Sequence, residues 1–116
     1  MSTQRLSEEA YLEARRLIDS RHYKEAVPYL VRLLNNDQYY LRALSNIGGC
    51  LLQMGHLRSG LKYTERALEV DPLYIPAVIN RAEAFHAMKD IETAVSIYED
   101  LVLNNPGVGL ASIGLA

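Results

Sequence analysis

The sequence has few of the features that would assign a compartment directly. It contains a single cysteine, Cys50, so an internal disulfide bond is impossible and no oxidising compartment is indicated. No apolar run is long enough to span a bilayer, and the segment MSTQRLSEEA lacks the apolar centre of a secretory signal. We therefore expect a soluble chain located in the cytoplasm.

Runs of lysine and arginine are also missing. The formal net charge is -2 at pH 7, so the sequence predicts neither a nucleic-acid partner nor an anionic membrane partner. The charge is nevertheless graded along the chain. Residues 1–40 contain six basic and six acidic side chains, whereas residues 75–116 contain two basic and five acidic ones. The C-terminal part is therefore the acidic end.

The usual residue patterns of catalytic and metal sites are absent as well. His22 and His56 lie in equivalent turns and His86 lies on a predicted helix, so no histidine pair has the spacing of metal ligands. No glycine-rich phosphate loop follows a strand. Cys50 has no histidine or acid spaced to activate it, which favours a core residue over a nucleophile. We predict a protein that is not an enzyme and needs no cofactor or metal.

The strongest positive signal is a 34-residue repeat centred on residues 41–74. Apolar residues recur there at three- and four-residue steps in two segments, which predicts two helices. The same types of residue recur one repeat length away in both directions. Gly48, Gly60, Leu68 and Pro72 correspond to Ala82, Ala94, Val102 and Pro106 on one side, and to Ala14, Ala26, Leu34 and Gln38 on the other. Two amphipathic helices in a repeat of this length predict a solenoid of helix-turn-helix units.

Local signals predict where the helices begin and end. We predict Ser7 as the N-cap of a helix over residues 8–20, and Asp90 as the N-cap of a helix over 91–104. Gly55 suits a left-handed C-terminal cap. Further helices are predicted over residues 23–35, where Pro28 should introduce a bend, and over 75–88, while Asp71-Pro72 should end the helix before it.

These patterns resemble the tetratricopeptide repeat. The family has small residues near the middle of both helices, which correspond here to the glycines and alanines of the repeat, and a closing proline. The departures are Ala10, Leu44 and Val78, where tryptophan is frequent in the family, Gln38 in place of the proline, and Glu13 and Arg81, where an apolar residue is usual. The resemblance covers residues 7–108 and implies an all-α, right-handed α-solenoid of three repeats.

The resemblance also implies a division of the chain. We predict an N-terminal extension over residues 1–6 and repeats over 7–40, 41–74 and 75–108. Residues 109–116 are predicted to be the start of a truncated fourth repeat or a tail. Because this end has no charged residue, we expect either a fragment of a longer repeat protein or a tail that docks on another copy.

In arrays of this kind the first helix of each unit lines a concave surface. Helical spacing predicts a peptide-binding surface there, formed by Asn46, Asn80, Tyr11, Arg15, Arg42, Gln53, Glu83 and His86. Asn46 and Asn80 are one repeat length apart and should stack. Their amides offer a donor and an acceptor to a peptide backbone, similar to the asparagine ladder of the O-linked N-acetylglucosamine transferase. The alternative is that both asparagines are merely solvated.

Some members of this family clamp the C-terminal carboxylate of heat-shock chaperones with lysine, arginine and asparagine side chains. The positions that the resemblance assigns to this clamp hold Tyr11, Arg15, Asn46, Pro76 and Asn80. Only Asn46 matches and Arg15 is the sole cation, which argues against binding of a chaperone tail.

We therefore predict a protein–protein interaction module that binds an extended peptide or a helix in its concave groove. It would be the N-terminal part of a larger repeat protein, or a small adaptor or chaperone. One alternative is a self-assembly module, a homo-oligomer joined through the apolar C-terminal end of the solenoid. Another is the non-catalytic repeat region of an enzyme such as a glycosyltransferase.

Overall fold

The computed structural model describes residues 3–107, which form six α-helices and no strand. They are α1 (Thr3–Asp19), α2 (Tyr23–Leu33), α3 (Tyr40–Gln53), α4 (Leu57–Val70), α5 (Ile75–Ala87) and α6 (Ile91–Asn104). Helices α1 and α2, α3 and α4, and α5 and α6 pack as hairpins, and successive hairpins contact each other through α2 and α3, α4 and α5, and α3 and α5. The molecule is elongated, 48 × 28 × 24 Å. The prediction of an all-α solenoid is confirmed.

The three turns inside the hairpins share one backbone conformation. Arg21, Gly55 and Lys89 follow one another at the repeat length and have φ angles of 61°, 84° and 71°. In each turn the next residue donates its backbone N–H to a carbonyl five positions earlier, from His22 to Leu17 at 2.7 Å, from His56 to Leu51 at 2.9 Å and from Asp90 to Phe85 at 2.9 Å. This is the Schellman motif, which ends a helix with a left-handed residue. The cap predicted at Gly55 is confirmed, and the two flanking turns adopt it without glycine.

Most predicted helix ends agree with the structure. The Oδ1 of Asp90 accepts a hydrogen bond from the backbone N–H of Thr93 at 3.3 Å, so this N-cap is confirmed. Helix α4 ends at Val70, just before Asp71 and Pro72. Helix α2 runs through Pro28 and ends at Leu33, slightly before the predicted end. Among the described residues, no helix is both long enough and apolar enough to cross a membrane.

The N-cap predicted at Ser7 is wrong. Helix α1 already begins at Thr3, so Ser7 lies inside it. The Oγ of Ser7 instead accepts a hydrogen bond from the Nδ2 of Asn36 at 2.9 Å, which links α1 to the turn after α2. A serine followed by acidic residues is typical of an N-cap, but here the hydroxyl has a partner that is distant in the sequence and the helix starts one turn earlier.

Small residues allow the paired helices to approach closely. A Cβ atom added to Gly48 of α3 would lie 2.5 Å from the Oγ1 of Thr64 and 3.1 Å from the carbonyl oxygen of Gly60, both on α4. That hydroxyl is buried and donates to the Gly60 carbonyl at 2.8 Å. The alanines at the equivalent crossings of the other pairs are buried, namely Ala14, Ala26, Ala82 and Ala94. The close contact between α3 and α4 therefore depends on glycine at both positions.

Tyr40 and Tyr74 share one repeat position and contact the core between the second and third hairpins. Both are half-buried and pack against a cluster of Leu44, Ala67 and Ala77. Both are therefore packing residues between these two hairpins. The predicted tail over residues 109–116, and with it the contact to a second copy, falls outside the described residues. The repeat boundaries stay a prediction.

Candidate functional site

Helices α1, α3 and α5 are the first helices of the three hairpins, and an open cavity lies along them. Its volume is about 240 Å³. We call this cavity the groove; it is lined by Ile18, Tyr23, Ser45, Asn46, Gly49, Cys50, Gln53, Pro76, Asn80 and Glu83. Four of the eight residues predicted from helical spacing line it, Asn46, Asn80, Gln53 and Glu83. Tyr11, Arg15, Arg42 and His86 do not.

Asn80 connects two of the groove helices. Its Nδ2 donates a hydrogen bond to the backbone carbonyl of Ser45 at 2.9 Å, so it joins α5 to α3. The same amide lies against Gly49, with Nδ2 3.5 Å from the place that a Cβ would occupy. Ser45 is only 2% exposed and Asn80 is half-buried. Asn80 therefore packs within the fold, because the small residues of α3 leave room for its side chain.

Asn46 is half-buried too, but its contacts differ. Within residues 3–107 its side-chain amide has no hydrogen-bond partner, and the same holds for the exposed amide of Gln53. Both line the groove. As far as residues 3–107 are concerned, their donors and acceptors are free for another molecule, whereas one donor of Asn80 is already used within the fold.

We expect the two asparagines to differ in their contribution to stability. Asn80→Ala should lower the free energy of unfolding by about 0.5–1.5 kcal/mol, because it removes the hydrogen bond to Ser45. Asn46→Ala should change it by less than about 0.5 kcal/mol. Urea unfolding followed by circular dichroism measures both. Equal stabilities of the two variants would show that the bond between α5 and α3 contributes nothing.

Three predicted site residues form a second cluster around a pair of tyrosine rings. The rings of Tyr11 and Tyr39 have centroids 5.2 Å apart. The guanidinium carbon of Arg42 lies 5.6 Å from the Tyr11 centroid and 5.9 Å from that of Tyr39, within cation–π range. Arg15 donates from Nη1 to the Tyr11 hydroxyl at 3.4 Å. Both arginines are exposed. The sequence did not indicate Tyr39, because the equivalent residue of the next repeat is Leu73.

Glu83 is the acidic residue of the groove. The residue as a whole is exposed to solvent. Its carboxyl group is nevertheless partly desolvated by the surrounding protein, which raises the pKa of Glu83. The pKa of the buried Tyr98 is raised as well, first by burial and then by the charge of Glu83. No ion pair to Glu83 is formed within residues 3–107. His86 is exposed on the same helix and lies outside the groove.

The groove offers hydrogen bonds and charge rather than an activated nucleophile. Cys50 is buried, and burial raises the pKa of its thiol to about 11, so it is protonated at neutral pH. Over residues 3–107 no group of three or more His, Cys, Asp or Glu side chains could hold a metal ion. Ile18, Tyr23 and Cys50 line the groove although the sequence did not single them out as binding residues, because their apolar spacing is that of core positions.

Comparisons with known proteins give distant relatives. No protein-family profile matches the chain. Hsp70-Hsp90 organizing protein 1 of Glycine max is 24% identical over 102 residues, which cover 88% of this chain and 18% of that protein. Hsp70-Hsp90 organizing protein 3 of Arabidopsis thaliana is 25% identical over 101 residues, which cover 87% and 18%. The chain thus spans less than a fifth of the length of these relatives.

Solved structures agree with the fold over almost the whole chain. The TPR2B domain of yeast Sti1 in complex with an Hsp70 peptide has a TM-score of 0.80 and 22% identity, and the match covers 94% of this chain and 90% of that one. The first TPR domain of Spaghetti (RPAP3) bound to the HSP90 peptide SRMEEVD has a TM-score of 0.82 and 17% identity, with coverage of 96% and 90%. The fold of this chain is therefore that of the tetratricopeptide-repeat domains, as its sequence predicted.

Proposed function

We propose that the chain is a protein–protein interaction module and that its groove binds an extended peptide. The observation that carries the proposal is the pair of amides, Asn46 and Gln53, which line the groove without a partner in the described residues. An amide can donate to a peptide carbonyl and accept from a peptide N–H, so it binds main chain of any sequence.

The structural neighbours support a peptide ligand. The yeast Sti1 domain was solved in complex with an Hsp70 peptide, and the Spaghetti domain is bound to an HSP90 peptide. We therefore propose that this chain is an adaptor in the cytoplasm, beside chaperones or in another complex. The residues of this chain favour a different mode of contact. Asn80 is bonded to Ser45, and Arg15 is the sole cation among the positions that the resemblance assigns to a carboxylate clamp. We therefore propose main-chain recognition rather than a grip on two terminal carboxylates.

Filling the groove should weaken this binding. Gly49→Trp places a large ring on the groove floor, and we expect it to weaken a bound peptide about tenfold or more, which is about 1.4 kcal/mol or more. The ligands are peptides selected on the wild-type chain from a phage-displayed random dodecapeptide library, together with the chaperone peptide SRMEEVD. Titration calorimetry measures the affinities.

The matched control is Ser59→Trp, which adds the same ring at an exposed position of α4 outside the groove. This variant should bind the selected peptides as the wild type does. SRMEEVD should bind more weakly than the selected peptides. Equal affinity of wild type and Gly49→Trp, or a library without any enriched peptide, would contradict the proposed function. Tight binding of SRMEEVD that Gly49→Trp abolishes would support the groove but contradict main-chain recognition.

A further inference from the structure

One row of repeat-equivalent positions carries opposite charges at its two ends. Arg15, Gly49 and Glu83 follow one another at the repeat length and lie on α1, α3 and α5. Arg15 is exposed, and Gly49 and Glu83 line the groove. Because Gly49 has no side chain, the neutral Asn80 amide packs against the middle of the row. A peptide that crosses the three helices would therefore meet a cation, an uncharged middle and an anion.

Each end of the row has room for a charged group. Arg42 lies beside the same Tyr11 ring that Arg15 contacts, so two exposed guanidinium groups stand at the α1 end. Asp19, on the next turn of α1, offsets part of this charge, since it interacts electrostatically with Arg15. At the α5 end Glu83 is partly desolvated and has no ion pair in the part of the chain that the structure describes. A carboxylate that has lost water without gaining a partner is stabilised by a cation.

We propose that this row sets the direction of the peptide ligand, with an acidic residue at the α1 end beside Arg15 and a basic residue at the α5 end beside Glu83. The inference rests on the proposed function of the groove. Packed helix axes are about 8–10 Å apart, and α1 packs less closely on α3 than α3 does on α5, so the two ends of the row are at least roughly 16 Å apart. An extended peptide rises about 3.3 Å per residue. The two ligand charges are therefore separated by at least about five residues.

The test is a selection from a random dodecapeptide library on three forms of the chain. They are the wild type, the charge-reversed variant Arg15→Glu with Glu83→Lys, and a control, Lys24→Glu with Glu99→Lys, which makes the same change in charge at exposed positions outside the groove. Wild type and control should enrich peptides with one order of acidic and basic residues. The charge-reversed variant should enrich the opposite order.

Synthetic peptides measure the size of the effect. One enriched peptide and its analogue with the two charges exchanged are titrated into the wild-type chain. An exposed ion pair changes affinity about twofold to fivefold, so the analogue should bind roughly 4- to 25-fold more weakly when both pairs are lost. High salt should reduce this difference, since exposed charges are screened.

The outcomes separate the two ideas. A library with no enriched peptide on any form would overturn the proposed function and the inference with it. Enriched peptides without a charge order, or with the same order on the charge-reversed variant, would overturn the inference and leave the proposed function standing. If circular dichroism shows that the charge-reversed variant is not folded, the single variants Arg15→Gln and Glu83→Gln replace it. Each should then weaken the enriched peptide about twofold to fivefold, and unchanged affinity would overturn the inference.

Discussion

Gly48→Ala is expected to lower the free energy of unfolding by about 1–3 kcal/mol, because it overpacks the crossing of α3 and α4. The new methyl group would lie 2.5 Å from the Oγ1 of Thr64 and 3.1 Å from the Gly60 carbonyl oxygen. The hydroxyl cannot move away freely, since it is buried and donates to that same carbonyl. The helices must then separate, or Thr64 must give up its hydrogen bond. Urea unfolding measures the loss.

The neighbouring glycine provides the control. A Cβ at Gly49 would lie 3.5 Å from the Nδ2 of Asn80, which is an ordinary van der Waals distance. Gly49→Ala should therefore raise the free energy of unfolding by about 0.5–1 kcal/mol, the usual gain when alanine replaces glycine inside a helix. Two adjacent glycines of one helix should thus respond in opposite directions. Stabilisation by both substitutions would contradict the close helix crossing.

Ala94→Leu is expected to destabilise the third hairpin by about 1–3 kcal/mol. Ala94 is 2% exposed on α6, which packs against α5, and the additional carbon atoms of leucine have no space there. Glu92, nearby on the same helix, is exposed. Glu92→Leu should change stability by no more than about 0.5 kcal/mol. Differential scanning calorimetry compares the two variants, which carry the same new side chain. A common melting temperature would mean that the register of the repeats is misassigned.

The fold could be predicted because its repeat period and its helix ends are both local properties. Small residues recur at the repeat length where helices cross, so Gly48 of α3 predicted Ala14 and Ala82 at equivalent places. Asp90 caps α6 through the backbone N–H of Thr93, less than one turn further along the chain. Such contacts can be predicted from a short segment of the sequence alone. The period of the sequence therefore carries most of the information about the solenoid.

The errors concern side chains whose partners are distant in the sequence. Ser7 is of a residue type that favours the N-cap position, but its hydroxyl accepts a hydrogen bond from Asn36 across the first hairpin. Asn80 is of the residue type expected in an asparagine ladder, but its amide donates a hydrogen bond to the Ser45 carbonyl on the neighbouring first helix. Tyr39 joins the cluster with Arg42, but its repeat equivalent is Leu73, so the repeat pattern does not reveal this role. These roles depend on the distance between packed helices. That distance cannot be predicted from the spacing of residues along one helix.

The left-handed turns at Arg21, Gly55 and Lys89 also bear on how the chain folds. Each turn ends one helix and starts the next through hydrogen bonds between residues close in the sequence, so every hairpin forms from a short stretch of chain. The main contacts between helices link sequence neighbours, apart from the contact of α3 with α5. Chains with such local contacts close short loops and fold fast. Folding can begin in any hairpin and spread to the next. Within residues 3–107 the middle hairpin contacts a neighbouring hairpin on each side, so it gains packing from both.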